Sequence, residues 1–332
     1  MKDPVDRRTF MKVAGASIGV GALFHVAPLL GASPRGRAVA AMLGRANGEA
    51  PSAFSFVQLS DTHVGFSGAA NPLGTAAFER AVEIINGLPQ RPDLVLFTGD
   101  LTHDSENPGE HADRMRRFQE IAGRLRVPLV RSVPGEHDAG LDGGKLFRDV
   151  FGETHYSFDH RGVHFVALDN VSLARPNVGP EQIAWLRKDL ARYALTTPIV
   201  VFTHRPLFDL RPDWEWFTGD GDEVMNAIAP YENVTVLYGH IHREHSHVEG
   251  HASHHAARSL IFAFPDPATA PQKAPIPFDA DKPFQNLGLR VVHEPGARAG
   301  AGAARIEEVE LTLREYAGTV GIQQLLKEGA SL

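Results

Sequence analysis

The segment Asp93-Leu94-Val95-Leu96-Phe97-Thr98-Gly99-Asp100 is an apolar run that ends in a turn and a carboxylate. A short apolar run that ends at turn residues predicts a buried strand, here over 93–97. Four further predicted strands also end in blocks that supply carboxylates or imidazoles. These blocks are Asp61-Thr62-His63, Pro134-Gly135-Glu136-His137-Asp138, Thr203-His204-Arg205-Pro206 and Gly239-His240-Ile241-His242.

Strands and helices alternate along most of the chain. The predicted helices cover 75–87, 111–125 and 179–193. The predicted strands are 54–59, 93–97, 127–133, 156–159, 163–168, 198–202, 234–238, 259–263, 287–292 and 306–313. This order predicts an α/β fold with a mixed sheet, or two sheets flanked by helices, in a single domain over 41–332. We interpret the Pro- and Ala-rich segment 265–283 as an ordered surface loop.

The composition excludes several classes of protein. The chain has 332 residues, 43% of them apolar and 22% charged, which is typical of a globular protein and not of a disordered one. A formal net charge of −7 argues against a nucleic-acid partner. The absence of cysteine excludes a disulfide scaffold, a zinc ribbon, an iron–sulfur cluster and thiol catalysis. The 17 histidines instead indicate chemistry by imidazole and carboxylate groups.

The first forty residues have the pattern of an export signal. Arg7-Arg8 precede Phe10 and Lys12, a weakly apolar run follows, and Ala38-Val39-Ala40 is a small-x-small cleavage site. This segment resembles a twin-arginine signal, with Asp6 where that signal usually has Ser or Thr. The resemblance implies transfer by the twin-arginine export machinery, cleavage after Ala40 and a periplasmic or extracytoplasmic location. An uncleaved anchor or a surface amphipathic helix is the alternative. After cleavage we expect no stable membrane span.

The five polar blocks predict a shared metal site. In open α/β sheets, ligands bind beyond the carboxyl ends of the strands, so these blocks can converge. In extended chain, residues i and i+2 point to the same side, which lets both ends of Asp-x-His or His-x-His reach one ion or two neighbouring ions. Small residues at Gly99, Gly135 and Gly239 permit a close approach of the backbone.

Taken together and in this order, the blocks resemble the calcineurin-like metallophosphoesterase superfamily. The flanking sequence is similar to the branch of class III cyclic nucleotide phosphodiesterases and purple acid phosphatases. The resemblance covers 61–242 and implies a four-layer α/β/β/α sandwich with two mixed β-sheets. It also implies that one metal is held by Asp61, His63 and His242, that a second is held by Glu136, His204 and His240, and that Asp100 bridges the two. His137 matches the family's histidine that assists the leaving group, and we expect Asp138 to orient it.

The implied reaction is the hydrolysis of a phosphodiester or a phosphomonoester. Two neighbouring metal ions polarise the phosphoryl group and supply a bridging hydroxide for in-line attack on phosphorus. The ligand set accepts Fe, Mn or Zn, as divalent ions or as a mixed-valence pair. We expect a small phosphate ester as substrate. The alternative is a non-catalytic metal-binding or protein-interaction module on the same fold, and a third hypothesis is a redox or metal-storage protein.

Two positions depart from the family pattern. Glu136 stands where the family has an asparagine, and it either binds the second metal directly, our hypothesis, or swings away from it. His103 stands where purple acid phosphatases have a tyrosine that binds iron, which predicts the absence of a purple chromophore. It acts as a ligand, as a neighbour of a ligand or as an ordinary loop residue.

Other polar and aromatic residues leave alternatives open. His245, His247, His251, His254 and His255 form either an accessory metal site or a polar hairpin with solvated imidazoles. Trp214 and Trp216 stack on a base, cover the cleft or pack structurally.

Overall fold

The computed structural model describes residues 54–294 and the strand at 307–312, so the expected signal over 1–40 lies outside the described residues. The strands are β1 (Phe54–Leu59), β2 (Leu94–Thr98), β3 (Leu129–Val133), β4 (Tyr156–His160), β5 (Val163–Ala167), β6 (Ile199–Phe202), β7 (Val234–Tyr238), β8 (His245–Glu249), β9 (Ala252–Ala256), β10 (Gly288–Glu294) and β11 (Glu307–Thr312). The helices are α1 (Ala76–Asn86), α2 (Pro108–Ala122), α3 (Glu136–Ala139), α4 (Lys145–Phe151), α5 (Pro180–Leu190) and α6 (Gly221–Ile228).

The strands form two mixed sheets. The first sheet has the order β11-β10-β1-β2-β3, in which β1, β2 and β3 are parallel and β10 is antiparallel to β1. The second has the order β4-β5-β6-β7-β9-β8, in which β5, β6, β7 and β9 are parallel and the edge strands β4 and β8 are antiparallel. The carboxyl ends of β1, β2 and β3 therefore share one edge, as do those of β6 and β7.

Alternation along the strands divides the apolar side chains between different cores. Phe54 and Phe56 of β1 pack into the core between the two sheets, where Phe56 meets Phe165 of the second sheet edge to face with ring centroids 5.6 Å apart. Val57 and Leu59 of β1 belong to a different core. Because side chains alternate between the two faces of a strand, β1 contributes to both cores and is buried on both faces.

Helices cover the outer faces of the sheets. The core that contains Val57 includes side chains of α1 and α2 and Phe147 of α4. On the second sheet, Ile183 and Leu186 of α5 and Val224 of α6 pack over β6 and β7. The predicted four-layer α/β/β/α sandwich is confirmed. None of the helices within 54–294 combines the length and the apolarity needed to cross a bilayer.

The element predictions were wrong or incomplete in a few places. The predicted strand at 259–263 is irregular, because several of its backbone groups pair with the turns and side chains around the site and do not form a continuous ladder with one strand. Leu260 N–H donates to the carbonyl oxygens of Ser60 and Asp61, and the Phe262 carbonyl accepts a hydrogen bond from His242. Helices α3, α4 and α6 were not assigned from the sequence, and the β8–β9 strand pair was offered there only as one alternative, a polar hairpin.

Candidate metal centre

The turns after the strands place the predicted ligands in a strained backbone conformation. Asp61, His63, Asp100, His240 and His242 all have positive φ angles, between 42° and 65°. Such angles are uncommon outside glycine and are held only when the surrounding structure fixes them. Here Asp61 N–H donates to Gly99 O and His63 N–H donates to Asp100 O, both at 3.0 Å, so the turns after β1 and β2 hold each other.

The seven predicted ligands converge into two groups that share Asp100. Within each group, the donor atoms all lie within 4.8 Å of one another. All of the residues are buried except Glu136, which is partly exposed. The groups are Asp61, His63, Asp100 and His242, and Asp100, Glu136, His204 and His240. The arrangement matches the division into a first site, a second site and a shared carboxylate expected from the sequence.

Backbone carbonyls fix the orientation of three imidazoles. His204 Nδ1 donates to Thr98 O at 2.7 Å, His242 Nδ1 to Phe262 O at 2.9 Å, and His240 Nε2 to Glu215 O at 3.1 Å. A neutral imidazole that donates from one nitrogen presents a lone pair on the other. The other nitrogen of each ring therefore faces the carboxylates, which is the arrangement that metal-binding histidines adopt.

Imidazole nitrogens face the Glu136 carboxylate at close range. His240 Nδ1 lies 2.7 Å from Glu136 Oε1, and His204 Nε2 lies 2.8 Å from Glu136 Oε2. Within the described residues, neither His204 Nε2 nor Glu136 Oε2 has a hydrogen-bond partner, although both atoms are buried. A lone pair opposite a carboxylate oxygen is unfavourable unless a cation or a proton joins them. The donor set and the two orphaned atoms fit a bound metal ion.

The electrostatics of the carboxylates favour their charged form. Burial raises the pKa of Asp100, and so does the charge of Glu136, but the nearby His204, His137 and His63 bring it down to about 2. For Glu136, burial also acts to raise the pKa, yet His240 and His204 hold it well below its usual range. Burial in turn lowers the pKa of His240 to about 4 despite the neighbouring Glu136. Ionised carboxylates and a neutral imidazole are the protonation states that bind metals.

Two glycines allow the backbone to pass close to the side chains of two predicted ligands. A Cβ atom on Gly135 would lie 2.1 Å from Asp100 Oδ1, and one on Gly239 would lie 2.7 Å from Asp61 Oδ2. Real Cβ atoms do not approach other atoms so closely. These positions exclude every larger residue because the shared carboxylate and the first-site carboxylate occupy the space.

His137 lies beside the first group, and its partner is not the one predicted. Its Nδ1 contacts the Asp104 carboxylate, and its backbone N–H donates to Asp100 Oδ1 at 3.0 Å. The expectation that Asp138 orients His137 is wrong. The Asp138 carboxylate points the other way and accepts from the backbone N–H groups of Leu101, Thr102 and Gly135 at 2.8–2.9 Å. Successive residues of a helical turn face directions about 100° apart, so neighbours rarely share a target.

His103 lies between His63 and His137. Its Nδ1 faces His63 Nδ1 at 3.3 Å, and its ring stacks on His137 with centroids 4.7 Å apart. Nδ1 of His63 therefore faces His103, while Nε2 of His63 faces Asp100 at 3.3 Å. His103 thus neighbours a predicted ligand, and with His63 and His137 it also forms a group of three donor atoms within 4.8 Å of one another.

The central part of the chain matches a known protein family. The sequence model of the calcineurin-like phosphoesterase family matches residues 54–244. The chain belongs to this family. Its members are phosphoesterases, so the chain is a phosphoester hydrolase with a candidate dinuclear metal site.

Curated relatives of this phosphoesterase act on different classes of phosphate ester. The 3′,5′-cyclic adenosine monophosphate phosphodiesterase CpdA of Pseudomonas aeruginosa is 28% identical over 272 residues, which cover 76% of this chain and 90% of that protein. The probable glycerophosphodiester phosphodiesterase GpdQ of Arcobacter nitrofigilis is 28% identical over 201 residues, 56% of this chain and 71% of that protein. The serine/threonine-protein phosphatase CPPED1 of Danio rerio is 30% identical over 186 residues, 50% of this chain and 59% of that protein.

Solved structures share the fold of this phosphoesterase. A purple acid phosphatase from yellow lupin seeds has a TM-score of 0.56 at 13% identity, covering 77% of this chain and 51% of that one. A dimetal phosphatase from Danio rerio has a TM-score of 0.51 at 14% identity, covering 77% of this chain and 98% of that one.

The aromatic and histidine-rich segments have mainly structural contacts. Trp214 and Trp216 are buried and pack edge to face, so they are packing residues. The β8–β9 pair is a hairpin, in which His245 Nδ1 hydrogen-bonds with the Tyr238 hydroxyl and His247 stacks on a phenylalanine. His254 is fully buried, contrary to the interpretation of a solvated face. Within the described residues these histidines form no group of three close donor atoms.

Three residues beside the site were not identified as candidates from the sequence: Asp104 and two cations near the second group, Arg205 and Lys273. Asp104 could have been found, because it lies in the same loop as Asp100 and only four residues later. Arg205 follows His204 directly. No pattern marks Lys273, which is brought in by the long loop after β9.

Proposed function

We propose that this phosphoesterase hydrolyses small phosphate esters with two metal ions held by Asp61, His63, Asp100, Glu136, His204, His240 and His242. The observation that carries the proposal is the convergence of imidazole nitrogens on carboxylate oxygens in a buried space. Such an arrangement is costly without cations and stable with them.

The ligand assignments follow the contacts. Asp61, His63 and His242 would hold the first ion, Glu136, His204 and His240 the second, and Asp100 would bridge them. When bound, two such ions polarise a phosphoryl group and lower the pKa of a water molecule, which supplies a nucleophile at neutral pH. Fe, Mn and Zn all suit this set of carboxylate and imidazole ligands.

His137 is the residue that we propose assists the leaving group. Burial acts to lower the pKa of His137, but the negative charges of Asp100, Glu136 and Asp104 raise it above its ordinary value. A protonated imidazole at neutral pH can donate to the departing ester oxygen. Asp104 holds the ring by accepting from Nδ1, which leaves Nε2 on the side of the ring away from Asp104.

The experiment is elemental analysis of the purified protein together with hydrolysis of nitrophenyl phosphate and bis-nitrophenyl phosphate. We expect two metal ions per chain and turnover that falls by about a hundredfold in His137→Ala, within the range known for removal of a general acid. Two ions without turnover of either ester would instead support the non-catalytic metal-binding module.

We propose in addition that residues 1–40 direct export to the periplasm by the twin-arginine route and that residues 41–332 are the mature domain. The arginine pair Arg7-Arg8 and the Ala38-Val39-Ala40 site support this proposal. Fractionation of cells that express the full chain is the test. Replacement of both arginines by lysine should retain the protein in the cytoplasm. Export of this variant at the normal rate would contradict the proposal.

A further inference from the structure

Two cations hold consecutive carbonyls of one turn beside the second metal group. Arg205 Nη1 donates to Glu215 O at 2.8 Å, and Lys273 Nζ donates to Trp214 O at 3.3 Å. Glu215 O also accepts from His240 Nε2, so this turn is in contact with a candidate metal ligand. Both the guanidinium and the ammonium group are therefore attached to the turn that contacts His240.

Arg205 also approaches the centre directly. Its Nη2 lies 3.5 Å from Glu136 Oε1, and the residue is 8% exposed. Its Nε is buried and has no hydrogen-bond partner within the described residues. A buried guanidinium donor without a partner is costly, which favours an anionic ligand that accepts from it.

Only part of the hydrogen-bonding capacity of Lys273 is used by the contact with Trp214. An ammonium group has three N–H donors, and Trp214 O takes one of them. The group also lies over the Phe264 ring, 5.3 Å from its centroid. Burial lowers the pKa of Lys273, and the charges of Glu136 and Glu215 act against that shift while Arg205 adds to it. Lys273 thus lies within electrostatic range of both the metal ligands and the guanidinium.

An open cavity adjoins Lys273. It has a volume of about 380 Å³, and Trp214, Glu215 and Lys273 form part of its wall. The carboxylate of Asp213, which also lines it, is paired with Arg211 at 2.9 Å. The Lys273 side chain therefore borders open space outside the metal groups.

The charge of the centre explains why two extra cations are useful. Two divalent ions against the three carboxylates of Asp61, Asp100 and Glu136 leave one positive charge. With an asparagine at position 136, the same two ions would leave two positive charges. A diester monoanion is balanced by one positive charge, but a phosphomonoester dianion is not. Arg205 and Lys273 add two positive charges, which more than offset the one that Glu136 removes.

We propose that Arg205 and Lys273 form a phosphate-binding pair that selects phosphomonoester dianions over phosphodiester monoanions. This inference rests on the proposed function, since it names the substrate class of the same centre. The two residues bind the non-bridging oxygens of the phosphoryl group, while the metal ligands and His137 act as proposed above.

The test compares Lys273→Met with Lys188→Met, an exposed lysine of α5, as the matched control. We expect Lys273→Met to lower kcat/KM for nitrophenyl phosphate about tenfold and for bis-nitrophenyl phosphate less than twofold, as loss of one charge-assisted hydrogen bond predicts. Lys273→Arg, which keeps the positive charge, should retain most of the wild-type kcat/KM for nitrophenyl phosphate. Metal content and melting temperature show whether the variant is intact, and Lys273→Gln replaces it if it is not.

Binding of inorganic phosphate to the metal-loaded protein supplies a readout that is independent of turnover. We expect the Kd of phosphate to rise about tenfold in Lys273→Met and to stay unchanged in the control. Equal losses of kcat/KM for both esters in Lys273→Met, or an unchanged phosphate Kd in that variant, would overturn the inference. If the wild-type protein hydrolyses neither ester, the proposed function fails, and the phosphate Kd still decides whether the pair binds phosphate.

Discussion

The imidazole of His137 is held by Asp104, a residue 33 positions earlier in the chain, through a contact between Nδ1 and Oδ1. The charge of Asp104 also contributes to the raised pKa of His137. If the proposed role is right, Asp104→Asn should lower kcat by about ten- to a hundredfold, the range found for residues that orient catalytic groups. Because the pKa of His137 would fall, the alkaline limb of the kcat–pH profile should move to lower pH.

The control for this prediction is a residue of the same charge that does not touch His137. Glu106 is exposed and lies in the same loop, so Glu106→Gln should leave the profile unchanged. A fall in kcat for Asp104→Asn without any movement of the alkaline limb would mean that Asp104 acts on the structure of the loop and not on the proton of His137.

Asp138 has a structural role that a stability measurement can separate from catalysis. It is fully buried, and besides three backbone N–H groups it accepts from the Thr102 hydroxyl at 2.8 Å. Asp138→Ala would leave these donors unpaired, and we expect a loss of about 2–4 kcal/mol in the free energy of unfolding. Denaturant unfolding is the measurement.

Asp142→Ala is the matched variant for Asp138. The Asp142 carboxylate is exposed and accepts from the backbone N–H groups of Lys145 and Leu146 at 2.9 Å, at the start of α4. Loss of such a cap costs about 1 kcal/mol. Equal losses for the two variants would mean that the hydrogen bonds of Asp138 add nothing beyond an ordinary cap.

The sequence predicted the centre well because strand geometry is simple. Each block follows a strand, and parallel strands place their carboxyl ends along one edge, so residues far apart in sequence meet there. Asp61 and His63 follow β1, and His240 and His242 follow β7. The two groups of ligands could therefore be assigned from order and spacing together with the family resemblance.

Contacts that depend on the direction of a turn could not be predicted in this way. Asp138 is next to His137 in sequence, yet one step along a helical turn sends its side chain to the backbone of 101–102. Lys273 comes from an irregular segment without any period, and its position depends on tertiary packing against Trp214 and Phe264. Segment 259–263 has the composition of a strand, but its carbonyl at Phe262 serves His242 instead.

A buried imidazole outside the metal centre should make stability depend on pH. Burial, and then the charges of His247 and His255, lower the pKa of His254 from 6.5 to about 4. In the unfolded chain this histidine takes up a proton near pH 6.5, whereas the folded protein resists it until about pH 4. His254 therefore destabilises the fold as the pH falls through this window, at about 1.4 kcal/mol per pH unit.

The variant His254→Leu removes this contribution, since leucine does not titrate. Urea unfolding at pH 7 and at pH 4.5 should show a smaller loss of stability for His254→Leu than for the wild type, by roughly 2 kcal/mol. His251 is exposed, so His251→Leu should keep the wild-type difference between the two pH values. The same pH dependence in His254→Leu and in the wild type would show that His254 is hydrated in solution.

Glu136 is the position at which this chain differs most from the pattern that its family resemblance implies. Its two carboxylate oxygens face His204 and His240 at 2.8 and 2.7 Å, so the second ion would receive a charged ligand in place of a neutral amide. Glu136→Asn shortens and neutralises the side chain, and we expect the second ion to bind about ten- to a hundredfold more weakly. Elemental analysis after dialysis against graded concentrations of a chelator measures this. Glu136→Gln separates the loss of charge from the loss of length. A second ion that stays bound in both variants as firmly as in the wild type would mean that Glu136 is not a ligand and swings away from the centre.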